Sequence, residues 1–392
     1  MVTKTCELQL FEDNGFELPE NYDWLRPREI TATPSFNTAN CTAVQGPLAR
    51  DCWLVSAISA LLANKNLLNH VVDANYDVTS SSYTGRVSFR LWKLGKWSSV
   101  VIDDRLPTND GNLVFAQLSG GNDFLVPLIE KAYAKLTGGS YDVINTRGSS
   151  LAAMLAFTGG TSDVFYCGNL TRDRVLSLGG AHKNGALMTC GTEGEIDEDA
   201  LFDQHCYEVS GFDLEKLSLQ LKNPHGNCLD ANNNDDSDIL KAKQKKTVWV
   251  DLDCLRKNFS TLRVCYPENI ITKCYKLVYC SEFRLNRFND NFYFNHLNID
   301  LLNKTSKNKH KVIVSLTTDL NMTHSIEQSR IGLKIYRGTL FKSEYLIEES
   351  HALGFPETTV RCDLTPEVHT ILSIHELPFN FKLQNNFNQF VK

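Results

Sequence analysis

Residues 45–68 read QGPLARDCWLVSAISALLANKNLL, and this stretch decides the fold. The run LVSAISALL, from Leu54 to Leu62, is rich in helix formers and repeats apolar residues at helical spacing. It predicts a helix entered through Asp51-Cys52-Trp53, with Asp51 as its cap and Cys52 in its first turn. There the helix dipole and the unpaired N–H groups of the first turn favour a thiolate. Taken alone, a cysteine at a helix start is more often structural than reactive. The rest of the chain has to supply its partners.

Working outward, residues 83–107 alternate apolar and polar side chains across Val87, Phe89 and Leu91 and again from Trp97 to Ile102. That pattern predicts a hairpin with Gly95 at the turn. A second helix is expected over Asn122 to Leu136, ended by Gly138-Gly139. After Phe157-Thr158-Gly159-Gly160 the chain turns strand-like in HCYEVSGFDL, KLSLQLKNP, TVWVDLDCL and TLRVCYP. The loop DANNNDDSD at 230–238 and the basic KAKQKK at 241–246 read as solvated surface. An EF-hand is excluded there, because Asp235 stands where the sharp turn needs Gly and Lys241 where the bidentate Glu belongs. From about Cys274, the runs YKLVYCSEF, NFYFNHLNID, KVIVSL, IGLKIYRG, TTVRCDL, HTILSI and FNFKLQ predict an antiparallel sandwich. The fold class is therefore α+β. With 392 residues, and about 150 per domain, the chain fits two or three domains.

Composition excludes several function classes. The balance of 40 Lys and Arg against 46 Asp and Glu, a net charge of −6, gives no reason to expect a nucleic-acid surface. The N-terminal twenty residues hold no apolar core of a secretory signal. No stretch approaches the ~18 apolar residues of a membrane span. A soluble, cytoplasmic protein with no integral membrane segment is expected. The twelve cysteines are scattered, with no Cys-x-x-Cys and no His-Glu-x-x-His, so zinc and zincin readings fail. A reducing compartment would keep them as thiols, most of them small buried hydrophobes.

A cysteine nucleophile needs an imidazole, a group to orient that imidazole, and an oxyanion hole. In DQHCYEVSGF, alternation puts His205, Tyr207 and Val209 on one face and Cys206 and Glu208 on the other. Asn223 ends the strand LSLQLKNP just before Pro224. The order Cys52, then His205 about 150 residues on, then Asn223, is the papain-type order.

These residues carry a resemblance. The block QGPLARDCWLVSAISALLANKNLL resembles the catalytic-cysteine motif of the calpains, and residues 96–142 are similar to calpains almost throughout. LAFTGG, QHCYEV, LQLKNPHG and WVDLDCLRKNFSTLRVCYP resemble the second half of the calpain protease core. LFEDNGFELP and Trp24-Leu25-Arg26-Pro27 resemble its entrance, and the C-terminal third, more loosely, the calpain β-sandwich. The resemblance implies a papain-like two-lobed core, with lobe 1 at residues 1–148 and lobe 2 at 149–268, followed by a sandwich at 269–392. It implies a cysteine endopeptidase acting on protein substrates. Cys52 would be the nucleophile, His205 the general base and acid, and Asn223 the group holding the imidazole. Gln45 and the Cys52 N–H would form the oxyanion hole, and Gly148 would let substrate backbone approach.

The departures from the family pattern are specific. Gln45 stands seven positions before Cys52 instead of six, because Ala49-Arg50 replaces one Gly. Gln204 replaces the Gly before the histidine, and His225 the Trp of Asn-Pro-Trp-Gly. These motivate a second reading, an impaired homologue that acts as a regulatory protein-binding module. Calpain cores are switched by two calcium ions. Asp123 keeps an acid for the first site, but Thr42 replaces an expected Asp, and Lys243-Gln244-Lys245-Lys246 replaces an acidic run at the second. Weakened or absent calcium control is expected, with Ca2+ at most an activator and not needed for the chemistry. With no EF-hand loop motif, a short form without a small EF-hand subunit is expected.

Overall fold

The computed structural model describes residues 10–36, 42–72, 76–93, 96–118, 122–146, 148–194, 196, 201–225 and 246–267, and strand backbone between 279 and 391. The chain divides into two compact units, one drawn from residues 1–270 and the other chiefly from 271–392.

The first unit opens with β1 (Asp23–Leu25), α1 (Pro27–Ile30), β2 (Ala43–Val44), α2 (Cys52–Ala63), α3 (Lys65–Val71), β3 (Arg86–Lys93) and β4 (Lys96–Asp103). It continues through β5 (Leu106–Asn109), β6 (Asn112–Leu113), β7 (Gln117–Leu118), α4 (Leu125–Thr137), α5 (Tyr141–Thr146) and α6 (Ser150–Thr158). The expected helix at Cys52 is α2. It is buried from Leu54 to Leu61 on every side, so it is a core helix and not a surface helix with one apolar stripe. Leu54, Val55, Ile58 and Leu61 pack with residues of β3, α4 and α6 in one apolar cluster. Each such side chain contributes about 1.5–3 kcal/mol on burial. The hairpin expected from Val87 to Ile102 is β3 with β4; its turn at 94–95, with Gly95, lies outside the described residues. The expected second helix starts three residues late, at Leu125, because the Asp123 carboxylate takes the Leu125 N–H at 3.0 Å and holds a turn there.

Buried ion pairs fix this part of the first unit. Arg26 of the entrance motif meets Asp104 at 2.5 Å, and Asp104 also accepts from Tyr76 at 2.9 Å and from Tyr83. Lys131 of α4, fully buried, meets Asp103 at 2.7 Å. Burial alone would raise the Asp103 carboxyl, but Arg105 and Lys131 outweigh it and bring it down to about 2. A paired buried charge is tolerable where an isolated one would not be.

The second half of this unit holds β8 (Thr161–Tyr166), α7 (Arg172–Lys183), β9 (Leu187–Thr192), β10 (Cys206–Asp213), β11 (Ser218–Lys222), β12 (Thr247–Asp251), α8 (Leu252–Asn258) and β13 (Phe259–Tyr266). Its sheet runs β12-β11-β10-β9-β13-β8. Two expectations are corrected here. The strand-rich region includes the twelve-residue helix α7, capped by the Thr171 hydroxyl. TVWVDLDCL is strand only to Asp251, whose side chain then caps α8 by accepting the Cys254 N–H.

The second unit holds β14 (Tyr279–Glu282), β15 (Asn286–Asn289), β16 (Phe292–Asp300), β17 (His310–Thr317), β18 (Arg330–Arg337), β19 (Leu346–Glu349), β20 (Glu357–Leu364), β21 (Val368–Glu376) and β22 (Asn388–Val391). A five-stranded sheet runs β15-β16-β21-β18-β19, and β17 pairs with β20 and β14 with β22. The strand pairs are antiparallel. FNFKLQ lies outside the described residues.

Candidate active site

Helix α2 lies against the start of β10 through two hydroxyl bonds. Ser56 Oγ donates to the Cys206 carbonyl at 2.9 Å, and Ser59 Oγ donates to the Glu208 carboxylate. These serines are the polar positions of an otherwise apolar helix, and the strand face they meet is the one opposite Tyr207 and Val209. Tyr207 and Val209 face the second apolar cluster with Leu219, Leu221 and Val250. The alternation expected around His205 is therefore realised, with both faces covered. Docking puts the first turn of α2, with half-buried Cys52, beside the residue that follows His205.

His205 is 5% exposed. Thr192 of β9 clamps its backbone: the hydroxyl accepts the His205 N–H at 3.0 Å, and the Thr192 N–H donates to the His205 carbonyl at 2.9 Å. Gln204, just before it, has φ +45°. That is the left-handed conformation for which glycine is suited, which explains why glycine is the expected residue. Asn223, 3% exposed, ends β11. Its Oδ1 accepts from His205 Nε2 at 3.0 Å and from the His225 N–H at 3.0 Å. With Nε2 engaged, Nδ1 is the imidazole nitrogen left for a proton exchange.

The Gln45 loop reaches this side too. The Gln45 N–H donates to the Pro224 carbonyl at 2.7 Å. Gly46 permits the approach of the loop, since a Cβ there would stand 1.9 Å from the Phe115 carbonyl oxygen. The Gln45 amide does not face open space. Its Nε2 donates to the Ala49 carbonyl at 2.6 Å, and its buried Oε1 has no hydrogen-bond partner. The extra residue is thus absorbed by a loop that folds back on the glutamine. Gly148 lies against the indole of Trp53: a Cβ on it would stand 1.8 Å from the ring.

Asp51 occupies the capping position of α2, but its side chain makes no capping bond, contrary to expectation. It faces Glu130 of α4 instead, and both carboxyls are fully buried. Glu130 accepts the Ala116 N–H at 3.0 Å. Burial pushes both carboxyls up, and the neighbouring Asp51 charge pushes Glu130 up further.

The thiol and imidazole are both held neutral. Burial first, then neighbouring Cys206 and Asp51, push Cys52 up to about 12. Burial and the adjoining His225 push His205 down to about 3, against the Asn223 bond. Sequence reasoning missed Thr192, Ser56 and the Asp51–Glu130 pair, each of which depends on contacts between distant segments.

The Asp123 oxygens already accept from Ser35 Oγ at 2.8 Å and from the Leu125 N–H. Among the described residues, no three His, Cys, Asp or Glu side chains converge on a metal position. Residues 226–245, including the acidic and basic runs, lie outside the described residues.

A family profile described as calpain family cysteine protease matches residues 5–266. The chain is 30% identical to the human calpain-2 catalytic subunit over 286 residues, covering 65% of this chain and 40% of that protein. It is 32% identical to mouse calpain-8 over 273 residues, covering 62% and 38%. It is 31% identical to calpain clp-1 of Caenorhabditis elegans over 277 residues, covering 63% and 35%. The chain spans about two fifths of the length of these curated relatives.

Proposed function

The chain belongs to the calpain family of cysteine proteases, and from that premise we propose that it is a cytoplasmic endopeptidase cleaving proteins at a limited number of sites through Cys52, His205 and Asn223. The observation that carries this reading is the 3.0 Å bond from His205 Nε2 to Asn223 Oδ1, made beside the strand start onto which the Cys52 helix docks. In the reaction, the Cys52 thiol gives its proton to His205 Nδ1 and its sulfur attacks the peptide carbonyl. His205 then protonates the leaving amine, and water hydrolyses the thioester. Asn223 holds the ring in the tautomer this needs. The Cys52 N–H and the Gln45 amide stabilise the oxyanion, a contribution of about 3–4 kcal/mol per donor in comparable sites. Gly148 and Trp53 form the edge along which substrate backbone lies.

Burial favours a neutral thiol at Cys52 and a neutral imidazole at His205 in the absence of substrate. Catalysis needs the two as thiolate and imidazolium, and the Gln45 amide turned from Ala49 towards substrate. Lobes at 1–148 and 149–268, with a β-sandwich at 269–392, complete the architecture. Calcium acts weakly or not at all, supported by the committed Asp123 oxygens and by Thr42 and Lys243.

The bond from Gln45 Nε2 to the Ala49 carbonyl also supports the second reading, an impaired homologue acting as a regulatory protein-binding module. One experiment separates them: labelling with a cysteine-protease epoxide, in calcium and in chelator, with Cys52→Ser as control. Equal labelling of Cys52 in both conditions supports a calcium-independent protease. An absolute calcium requirement removes the weakened-calcium proposal, and no labelling in either condition favours the regulatory module.

A further inference from the structure

The imidazole of His225 lies face to face with that of His205, the ring centroids 4.4 Å apart and the planes 5° from parallel. The stack is built. Phe202 flanks both rings, at 5.5 Å from His205 and 5.2 Å from His225, and Tyr207 meets His205 edge-on at 4.9 Å. Asn223 Oδ1 joins the two residues, taking the His205 side chain and the His225 backbone. His225 is half-buried, and His205 almost wholly so.

We propose that His225 is a positioning residue which governs the charge of His205, so that the enzyme works only while His225 is neutral. A neutral imidazole offers its π face to an imidazolium and stabilises it, as other aromatic rings do. A protonated one puts a second positive charge 4.4 Å from the first, in a site that water does not freely enter. Formation of the thiolate–imidazolium pair then requires a bare neighbour. Acid removes activity twice: once by protonating the thiolate and once by charging His225. The inference rests on the proteolytic reading above and deepens it.

The other described groups around the stack do not take over this role. Asp203 and Gln204 lie exposed in the preceding turn, and Lys222 at the end of β11 meets Glu208 at 3.5 Å. The Lys246 carbonyl takes the Asn223 N–H, and Tyr207 Oη accepts the Phe202 N–H. Among the described ionisable groups, His225 is the one that lowers His205, and burial lowers His225.

The test uses the full chain, its His225→Phe and His225→Trp variants, and two readouts. Both replacements keep a ring over His205 and remove only the second titration, so loss of packing does not mimic the effect. In kcat/KM against pH, the wild-type acid limb should fall with a limiting slope of 2 and those of both variants with a slope of 1. By NMR of labelled histidine, the His205 midpoint should rise by about one pH unit or more in His225→Phe. Turnover with an unchanged limb and an unchanged His205 midpoint overturns the proposal. A raised midpoint in a chain with no turnover and no epoxide labelling sinks the proteolytic reading and upholds the coupling of the rings.

Discussion

The Oδ1 atom of Asn223 serves two donors at once, His205 Nε2 and the backbone N–H of His225, each at 3.0 Å. One side-chain oxygen therefore fixes the tautomer of the imidazole and the position of the ring stacked on it. Asn223→Ala is expected to lower kcat on the order of 10²-fold, in the range that a positioned acid–base group supplies, with little change in KM. Steady-state kinetics on a peptide substrate checks this. A variant that raised KM and spared kcat would mean that Asn223 binds substrate rather than orienting the base.

The Gln45 amide donates to the Ala49 carbonyl, within the two-residue segment that lengthens the loop. Replacing Ala49-Arg50 by a single Gly shortens the loop that carries that carbonyl, changes its position relative to Gln45, and restores the six-position spacing. It is expected to raise kcat about 10-fold or more, since one oxyanion donor is worth 10²–10³ and part of that is already recovered whenever the loop opens. An unchanged or lower kcat would show that the longer loop already delivers Gln45 to the oxyanion.

The elements that carry the site were legible because their patterns are local. LVSAISALL announces a helix, HCYEVSG and LSLQLKN alternate as strands, and the Cys, His and Asn fall at their ends. Helix α7 escaped notice because RDRVLSLGGAHK buries only Val175, Leu178 and Gly179, too few to make a periodic signal. The contacts that tune the site join residues far apart in the chain. Asp51 reads as a cap from its neighbours, and only folding reveals Glu130 opposite it. His225 reads as a lost tryptophan until its ring is found flat against His205.

The Asp51–Glu130 pair predicts a pH dependence of stability. A carboxyl pushed up on folding contributes stability that is fully present below the ordinary carboxylate range. That stability is lost as pH rises through the folded value, here about 6 for Asp51. His205 works in the opposite sense: its depressed value costs stability only as pH falls from the ordinary imidazole range towards about 3. Between pH 6.5 and 8 the acid pair therefore dominates. Asp51→Asn, which puts an uncharged amide beside Glu130, should lessen the decline in this range, the remainder coming from Glu130, which burial still holds up. It should add on the order of 2 kcal/mol at pH 8. Thermal melts from pH 5 to 8 read this directly, and parallel curves for both chains would refute it.

Gln204 carries strain that a glycine would relieve. At φ +45° a residue with a Cβ costs about 1–2 kcal/mol. Introducing glycine adds about 0.5–1 kcal/mol of unfolded-state entropy to be overcome. The side chain is exposed, so nothing else is lost, and Gln204→Gly should stabilise the fold by about 0.5–1 kcal/mol in denaturant melts. Leu217 at φ +52° is the control. Its side chain packs against the second core, so Leu217→Gly should destabilise despite the same relief of strain. Activity separates the two consequences of the glutamine. If its side chain crowds the cleft, Gln204→Gly lowers KM as well as raising stability; if only the backbone is strained, stability rises and KM stays where it was.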